Sequence, residues 1–209
     1  MPAEFIKLYP ENPDPRRIQH IVDVLRDGGI IIYPTDTVYG IGCDIFNQKA
    51  IQRICQIKGV KPKDQNFSFI CYDLSDISDY TRTVSTPVFK LMKKALPGPF
   101  TFILNANNNV PKLLNSKKKT VGIRVPDHSI PRILVKELGG PIVTTSIRDE
   151  DDVIEYSTDP ELIYEKYRDM VDVVIDGGYG NNIGSTILDC TGEEIVIVRE
   201  GLGNVDDIV

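Results

Sequence analysis

The sequence predicts an α+β protein of the mixed α/β kind, a twisted open mixed sheet flanked by helices. Two patterns along its 209 residues carry that prediction. Segments with apolar residues at three- and four-residue spacing alternate with short aliphatic runs, as helices interleaved with buried strands do. The last two runs, Ser185 to Asp189 and Ile195 to Arg199, meet through Thr191-Gly192 with no room for a helix. That makes a terminal hairpin, and so a sheet of mixed strand directions. With 41% hydrophobic and 26% charged residues, the chain can bury a core without metal or disulfide. Residues 1–209 read as one domain.

The elements follow in order. Asp14 caps and Pro15 opens a helix over 15–28, with Ile18, Ile21, Val22 and Leu25 inward and Gly28-Gly29 at its end. Ile30 to Tyr33 is a buried strand stopped by Pro34, and Gly40 to Asp44 is a second one after a tight turn. Asn47 caps a helix over 47–58 that buries Ala50, Ile51, Ile54 and Cys55. A strand over Phe67 to Cys71 precedes a short helix at 75–80 and a longer one at 86–95, which Pro97-Gly98-Pro99 ends. Strands follow at Phe100 to Leu104 and Val121 to Val125, then a helix over 129–138 closing on Gly139-Gly140. Ile142 to Thr145 and Val171 to Asp176 are strands on either side of a helix at 159–168. Residues 105–119 and 148–158 read as loops, the second holding the acidic run Asp149 to Asp152, which suits solvated surface.

Composition excludes several functions. Cys43, Cys55, Cys71 and Cys190 contain no Cys-x-x-Cys pair, so they read as buried thiols, not as a zinc or redox site. His20 and His128 are the only histidines, too few for a three-histidine metal centre and a poor start for a hydrolytic triad. No apolar run approaches the ~20 residues of a membrane span. The first residues, with Glu4, Lys7 and Glu11 among prolines 2, 10 and 13, resemble no secretory signal, so a cytosolic protein is expected. The net charge of −6 hides an asymmetry. Residues 49–124 hold fourteen Lys/Arg against four acids, a net of +10. Such a block points to an anion such as a nucleotide, a polyphosphate or RNA, or to basic solvated helices, the plainer reading for Lys90, Lys93 and Lys94. Lys117-Lys118-Lys119, beside Thr120 and Arg124, favours the anion.

Familiar phosphate loops are missing. The stretch Gly178 to Gly184 is one residue too long for a dinucleotide fingerprint and leads into a strand, and no P-loop motif occurs. Polar residues instead gather at strand ends. Thr35-Asp36-Thr37 after the first buried strand reads as a turn, or as hydroxyls offered to a ligand. Lys58 and Lys61 close a helix as dipole compensation or as a phosphate clamp. Arg124, at the end of an apolar strand, needs an acid or an anionic ligand. Thr144-Thr145-Ser146 and Ser185-Thr186 add hydroxyls at further strand ends.

In this order the segments resemble the YrdC/YciO family, which includes the L-threonylcarbamoyladenylate synthases of tRNA modification. The resemblance rests on Tyr33 to Asp44 (YPTDTVYGIGCD), Ile57-Lys58-Gly59 and Leu96 to Thr101 (LPGPFT). It continues through Thr120 to Pro126 (TVGIRVP), Pro141 to Ser146, Ser185 to Asp189 (STILD) and Arg199-Glu200-Gly201. It implies a YrdC-like sheet with a concave basic cavity, and a nucleotidyltransferase acting on ATP, L-threonine and bicarbonate, with magnesium accompanying ATP. By resemblance Thr35, Cys71, Arg124, Thr144 and Ser185 would hold threonine, and Lys58, Lys61, Thr120, Ser146 and Arg199 would hold the nucleotide. Lys58 and Arg124 would be the catalytic cations. Three places depart from the synthases: Lys58-Gly59-Val60-Lys61 stands where they have Lys-x-Arg, so the arginine is absent or its role falls to Lys61; Cys71 stands where they have histidine; and Arg148 stands where they have asparagine. These departures resemble the YciO branch. The alternative is therefore a double-stranded RNA- or tRNA-binding, translation-associated protein of the YciO type with weak or no synthase activity. A monomer or weak homodimer, with no membrane partner, is expected.

Overall fold

The computed structural model describes residues 2–62, 67–114, 119–147 and 155–209. Ten strands form one sheet in the order β1-β8-β2-β3-β7-β4-β6-β5-β9-β10. They are β1 (Glu4–Lys7), β2 (Ile31–Tyr33), β3 (Gly40–Asp44), β4 (Ser68–Ile70) and β5 (Phe100–Asn105). The rest are β6 (Thr120–Arg124), β7 (Ile142–Ser146), β8 (Val173–Asp176), β9 (Thr186–Asp189) and β10 (Val196–Arg199). Parallel pairs (β1/β8, β2/β8, β4/β6, β5/β9) occur beside antiparallel ones, so the sheet is mixed as expected. The terminal hairpin forms between β9 and β10.

Helices cover both faces. The helices are α1 (Pro15–Arg26), α2 (Gln48–Ile57), α3 (Thr86–Ala95), α4 (Ser129–Leu138), α5 (Glu155–Thr158) and α6 (Pro160–Tyr167). The expected caps are in place: Asp14 accepts from Arg16 N and Asn47 from Ala50 N. Gly139 closes α4 with φ of 81°, a left-handed residue that favours glycine. One hydrophobic cluster joins Ile51 of α2, Met92 of α3 and Ile163 of α6 to Ile41, Phe69, Phe102 and Ile123 of the sheet. The other joins Ile21 and Leu25 of α1 and Leu134 of α4 to Ile31, Tyr33, Ile70, Ile142 and Val173. Successive strand residues face opposite ways, so these clusters are the two faces of the sheet.

Three expectations change. β1 was not expected; its four residues carry charge at both ends and little apolar signal, which suits an edge strand. The short helix at 75–80 is only a 3₁₀ turn over Ile77–Asp79. The loop at 148–158 holds the short helix α5, while its residues 148–154 lie outside the described chain, Arg148 and the acidic run among them. Lys117 and Lys118 also lie outside it.

Candidate active site

One row of residues runs across four adjacent strands. Pairing sets Gly42 of β3 opposite Thr144 of β7, Thr144 opposite Ser68 of β4, and Ser68 opposite Gly122 of β6. These are small or hydroxylated side chains on the same face that α1 and α4 cover elsewhere. The next row on that face is Ile142, Ile70 and Arg124, of which the two isoleucines lie in the cluster with α1 and α4. Tyr33 marks the boundary. A Cβ added at Gly42 would meet its ring at 3.3 Å, and its hydroxyl donates to Thr144 Oγ1 at 2.6 Å. Beyond that boundary the face opens into a cavity of about 150 Å³, lined by Ser68, Thr101, Arg124, Thr144, Ser185 and Arg199 among others.

Arg124 is the charged group at its base, with 10% of its side chain exposed. Its Nη2 donates to Asp36 Oδ1 at 3.1 Å and to Thr37 Oγ1 at 3.0 Å. The other Asp36 oxygen accepts from Asp127 N at 3.0 Å, which ties the loops after β2 and β6 together. Burial pushes the guanidinium down from its ordinary value and the Asp36 charge pushes it back up. Among the described residues, Arg124 Nε is the buried side-chain polar atom left without a hydrogen-bond partner. An unmet buried donor costs about 1–3 kcal/mol, so the site holds an unused donor that an acceptor would satisfy.

The other cation is Arg199, on β10. Its guanidinium donates to the Ser185 carbonyl from Nε at 3.1 Å and Nη2 at 2.7 Å, which holds it along one wall. Ser185 Oγ lies 2.8 Å from Thr101 Oγ1, so hydroxyls from β5 and the start of β9 face each other. The cavity is therefore basic as expected, through two arginines. Lys90, Lys93 and Lys94 lie on α3, whose buried residues Val88 and Met92 pack against the opposite face of the sheet. Among the described residues of the basic block, Arg124 lines the cavity and the lysines do not.

Of the expected ligand contacts, Arg124, Thr144, Ser146, Ser185 and Arg199 come together here. Thr35 does not line this cavity. Its hydroxyl is spent inside the turn, donating to Val38 O at 2.8 Å and accepting from Thr37 N at 3.0 Å, and it borders an adjoining recess with Asp36 and Thr37. Cys71 is a correction in geometry. Its backbone N bonds Arg124 O, continuing the ladder, and one step past Ile70 it falls on the other face, in the core. Burial pushes its thiol up to about 12. Lys58 is the C-cap residue of α2, Lys61 is exposed beyond it, and Thr120 starts β6 opposite Asn105; none of the three lines the cavity. Sequence reasoning missed Ser68 and Thr101 as lining residues, and it offered the Thr35-Asp36-Thr37 turn to a ligand without foreseeing Asp36 and Thr37 as partners of Arg124. The first two carried a signal, a hydroxyl at an alternate position in an otherwise apolar strand.

A family model described as Sua5_yciO_yrdC, telomere recombination, matches residues 23–201. The chain belongs to this Sua5/YciO/YrdC family. The uncharacterized protein YciO of Escherichia coli K12 is 41% identical over 204 residues, which cover 97% of this chain and 98% of YciO. The crystal structure of E. coli YciO superposes with a TM-score of 0.91 at 39% identity, covering 99% of this chain and 100% of that one. A threonylcarbamoyl-AMP synthase from Halorhodospira halophila is 31% identical over 137 residues, 66% of this chain and 71% of the synthase. P. abyssi Sua5 in complex with L-threonine shares 26% identity at a TM-score of 0.86, over 95% of this chain and 58% of Sua5. Family and fold thus stand together, and family members include synthases. Among the described residues no helix is long and apolar enough to cross a membrane, and no three His, Cys, Asp or Glu gather as metal ligands.

Proposed function

We propose that this chain makes L-threonylcarbamoyladenylate from L-threonine, bicarbonate and ATP, for threonylcarbamoyladenosine modification of tRNA. The observation that carries the reading is the buried Arg124 Nε, an unused donor at the base of a small cavity ringed by hydroxyls. A guanidinium edge suits the carboxylate of an amino acid. Ser185 would supply a hydroxyl partner for its polar side chain, and Thr144, whose Oγ1 accepts from Tyr33 and donates to Ile41 O at 3.2 Å, would assist beside it. The threonine-bound Sua5 relative supports the same choice of ligand.

The chemistry asks for no protein nucleophile. The threonine amine takes up the carbon of bicarbonate with loss of water, and the resulting carbamate oxygen attacks the α-phosphorus of ATP. The P–O bond to the β-phosphate breaks and pyrophosphate leaves. What the protein contributes is positioning and positive charge. Arg124 fixes threonine, while Arg199 and Ser146 face the nucleotide side of the cavity. Lys58, Lys61 and Thr120 would meet the nucleotide from beyond the cavity lining, Lys58 as the second cation of the reaction. With no three-carboxylate group among the described residues, magnesium would arrive on the phosphates of ATP. An RNA platform finds less support, because the lysines of α3 lie behind the sheet from this cavity.

The test is pyrophosphate release from ATP and magnesium, with L-threonine and bicarbonate added singly and together. Release that requires both is expected. Release indifferent to threonine, or none while ATP still binds, would overturn the assignment.

A further inference from the structure

The hydroxyls around the site differ in what they have left to offer a ligand. A hydroxyl donates one hydrogen bond and accepts up to two. Thr35 Oγ1 donates to Val38 O and accepts from Thr37 N, so it must also be the acceptor in its 3.1 Å contact with Thr37 Oγ1. Its capacity is full. Thr37 Oγ1 has then spent its proton on Thr35, and it accepts from Arg124 Nη2. Thr144 Oγ1 has spent its proton on Ile41 O and accepts from Tyr33. Between Thr101 and Ser185, one hydroxyl donates to the other across 2.8 Å.

Ser68 is different. It lines the same cavity, half-buried at the start of β4, and its side chain makes no hydrogen bond with any described residue. Its proton and its acceptor sites are all unspent. Its neighbour in the strand pairing is Gly122, where a Cβ would stand 2.6 Å from Ser68 Oγ and 3.3 Å from Thr101 Cγ2. The bare Gly122 thus leaves room between a hydroxyl and a methyl. The Thr101 hydroxyl is turned to Ser185, which leaves its methyl toward that space.

We infer that Ser68 is a specificity-determining residue: its hydroxyl reads the side-chain hydroxyl of the bound amino acid, and the Thr101 methyl receives that side chain's methyl. This role rests on the proposed function, in which the unused Arg124 Nε holds the amino acid's carboxylate. A ligand hydroxyl both donates and accepts, and Ser68 can meet it in either sense. Ser185 adds a contact in whichever sense its bond with Thr101 leaves open, whereas Thr144 can only accept. Against an aliphatic side chain the Ser68 hydroxyl would be cut off from water with no partner, which penalises the wrong amino acid. A carbon bearing both a hydroxyl and a methyl is thereby chosen over valine, which has the same shape, and over serine, which lacks the methyl.

Titration calorimetry of the full chain with L-threonine, L-valine and L-serine, repeated on Ser68→Ala, reads this directly. The unaltered chain should bind threonine about 10- to 100-fold more tightly than valine, as one unmatched buried hydroxyl dictates. Serine should bind about fourfold more weakly than threonine, the worth of one buried methyl. Ser68→Ala should cut the threonine-to-valine preference about tenfold. Because the hydroxyl ties nothing together in the fold, the melting temperature of Ser68→Ala without ligand should stay within about 2 °C of the unaltered chain. Equal binding of threonine and valine by the unaltered chain, an unchanged preference in Ser68→Ala, or a clear drop in its melting temperature would overturn the role of Ser68. Serine binding as tightly as threonine would remove the part given to Thr101. The expected ratios without pyrophosphate release would sink the synthase reading and leave Ser68 in place, while an unaltered chain that binds no threonine would sink both.

Discussion

One face of the sheet carries both a packed core and an open site, and the two differ by little more than side-chain size. Over β8 and β2 the alternate positions are Val173 and Ile175, then Ile31 and Tyr33, all buried beneath α1 and α4. Over β7, β4 and β6 the same face carries Thr144, Ser68 and Gly122. Small residues there leave little for a helix to pack on, and the cavity opens over them instead. Gly122 shows how close the fit is, since a Cβ would come within 2.6 Å of Ser68 Oγ. The boundary residue serves both sides: Tyr33 packs in the covered half and donates into the open half. A site on a sheet thus needs no special loop, only a stretch where the apolar alternation lapses and one charge is retained.

The sharpest break of that contrast is at Arg124, where loss should fall on activity above all. Arg124→Ala removes the donor and strands Asp36, so we expect at least a ~1,000-fold loss of threonine-dependent turnover, about 4 kcal/mol. Breaking a buried pair should also lower stability by about 3–5 kcal/mol. Arg124→Lys separates the two effects. It keeps the charge beside Asp36 but loses the planar fork, so much of the stability should return while turnover remains low. Full turnover in the lysine variant would mean that Arg124 supplies charge alone.

In the covered half the reverse is expected. Leu134 of α4 is fully buried in the cluster with β2 and β8, and Leu134→Ala should cost about 2–5 kcal/mol of stability. Denaturant unfolding would report the loss, and turnover below the new melting transition should be close to that of the unaltered protein. A fall in turnover as large as that of Arg124→Ala would show that the two halves are not separable.

Much of this division was legible in the sequence. Nine of the strands and the main helices follow from apolar periodicity, and Arg124 was singled out by a physical cost, a charge inside an apolar strand. What escaped has physical causes. β1 has too short an apolar pattern to register. Cys71 was set at the site by resemblance, yet a one-residue step along a strand moves a side chain to the opposite face. The Asp36 partner stands 88 residues from Arg124, a pairing that no local period encodes. The Thr35 hydroxyl was set at the site by resemblance, and Thr35 borders the recess that adjoins the cavity. Its own turn uses that hydroxyl.

The smallest expected effect tests the cover itself through pH. His128 is the N-cap of α4: its Nδ1 accepts from Ile130 N at 3.3 Å, which requires that nitrogen to be unprotonated. Burial lowers the imidazole from its ordinary value of 6.5, against an upward pull from Asp36, Asp127 and Glu11. The folded state therefore binds this proton less readily than the unfolded chain. The capping contribution is fully present above the ordinary value and is lost as pH falls below it toward the folded one. His128→Asn keeps a capping acceptor that does not titrate, so stability between about pH 8 and pH 5 should decline less steeply than in the unaltered protein. The difference should be about 0.5–2 kcal/mol at the acid end, the usual worth of a cap, measured by denaturant unfolding. Equal slopes in the two proteins would remove His128 as the titrating cap and leave α4 held over the sheet by packing alone.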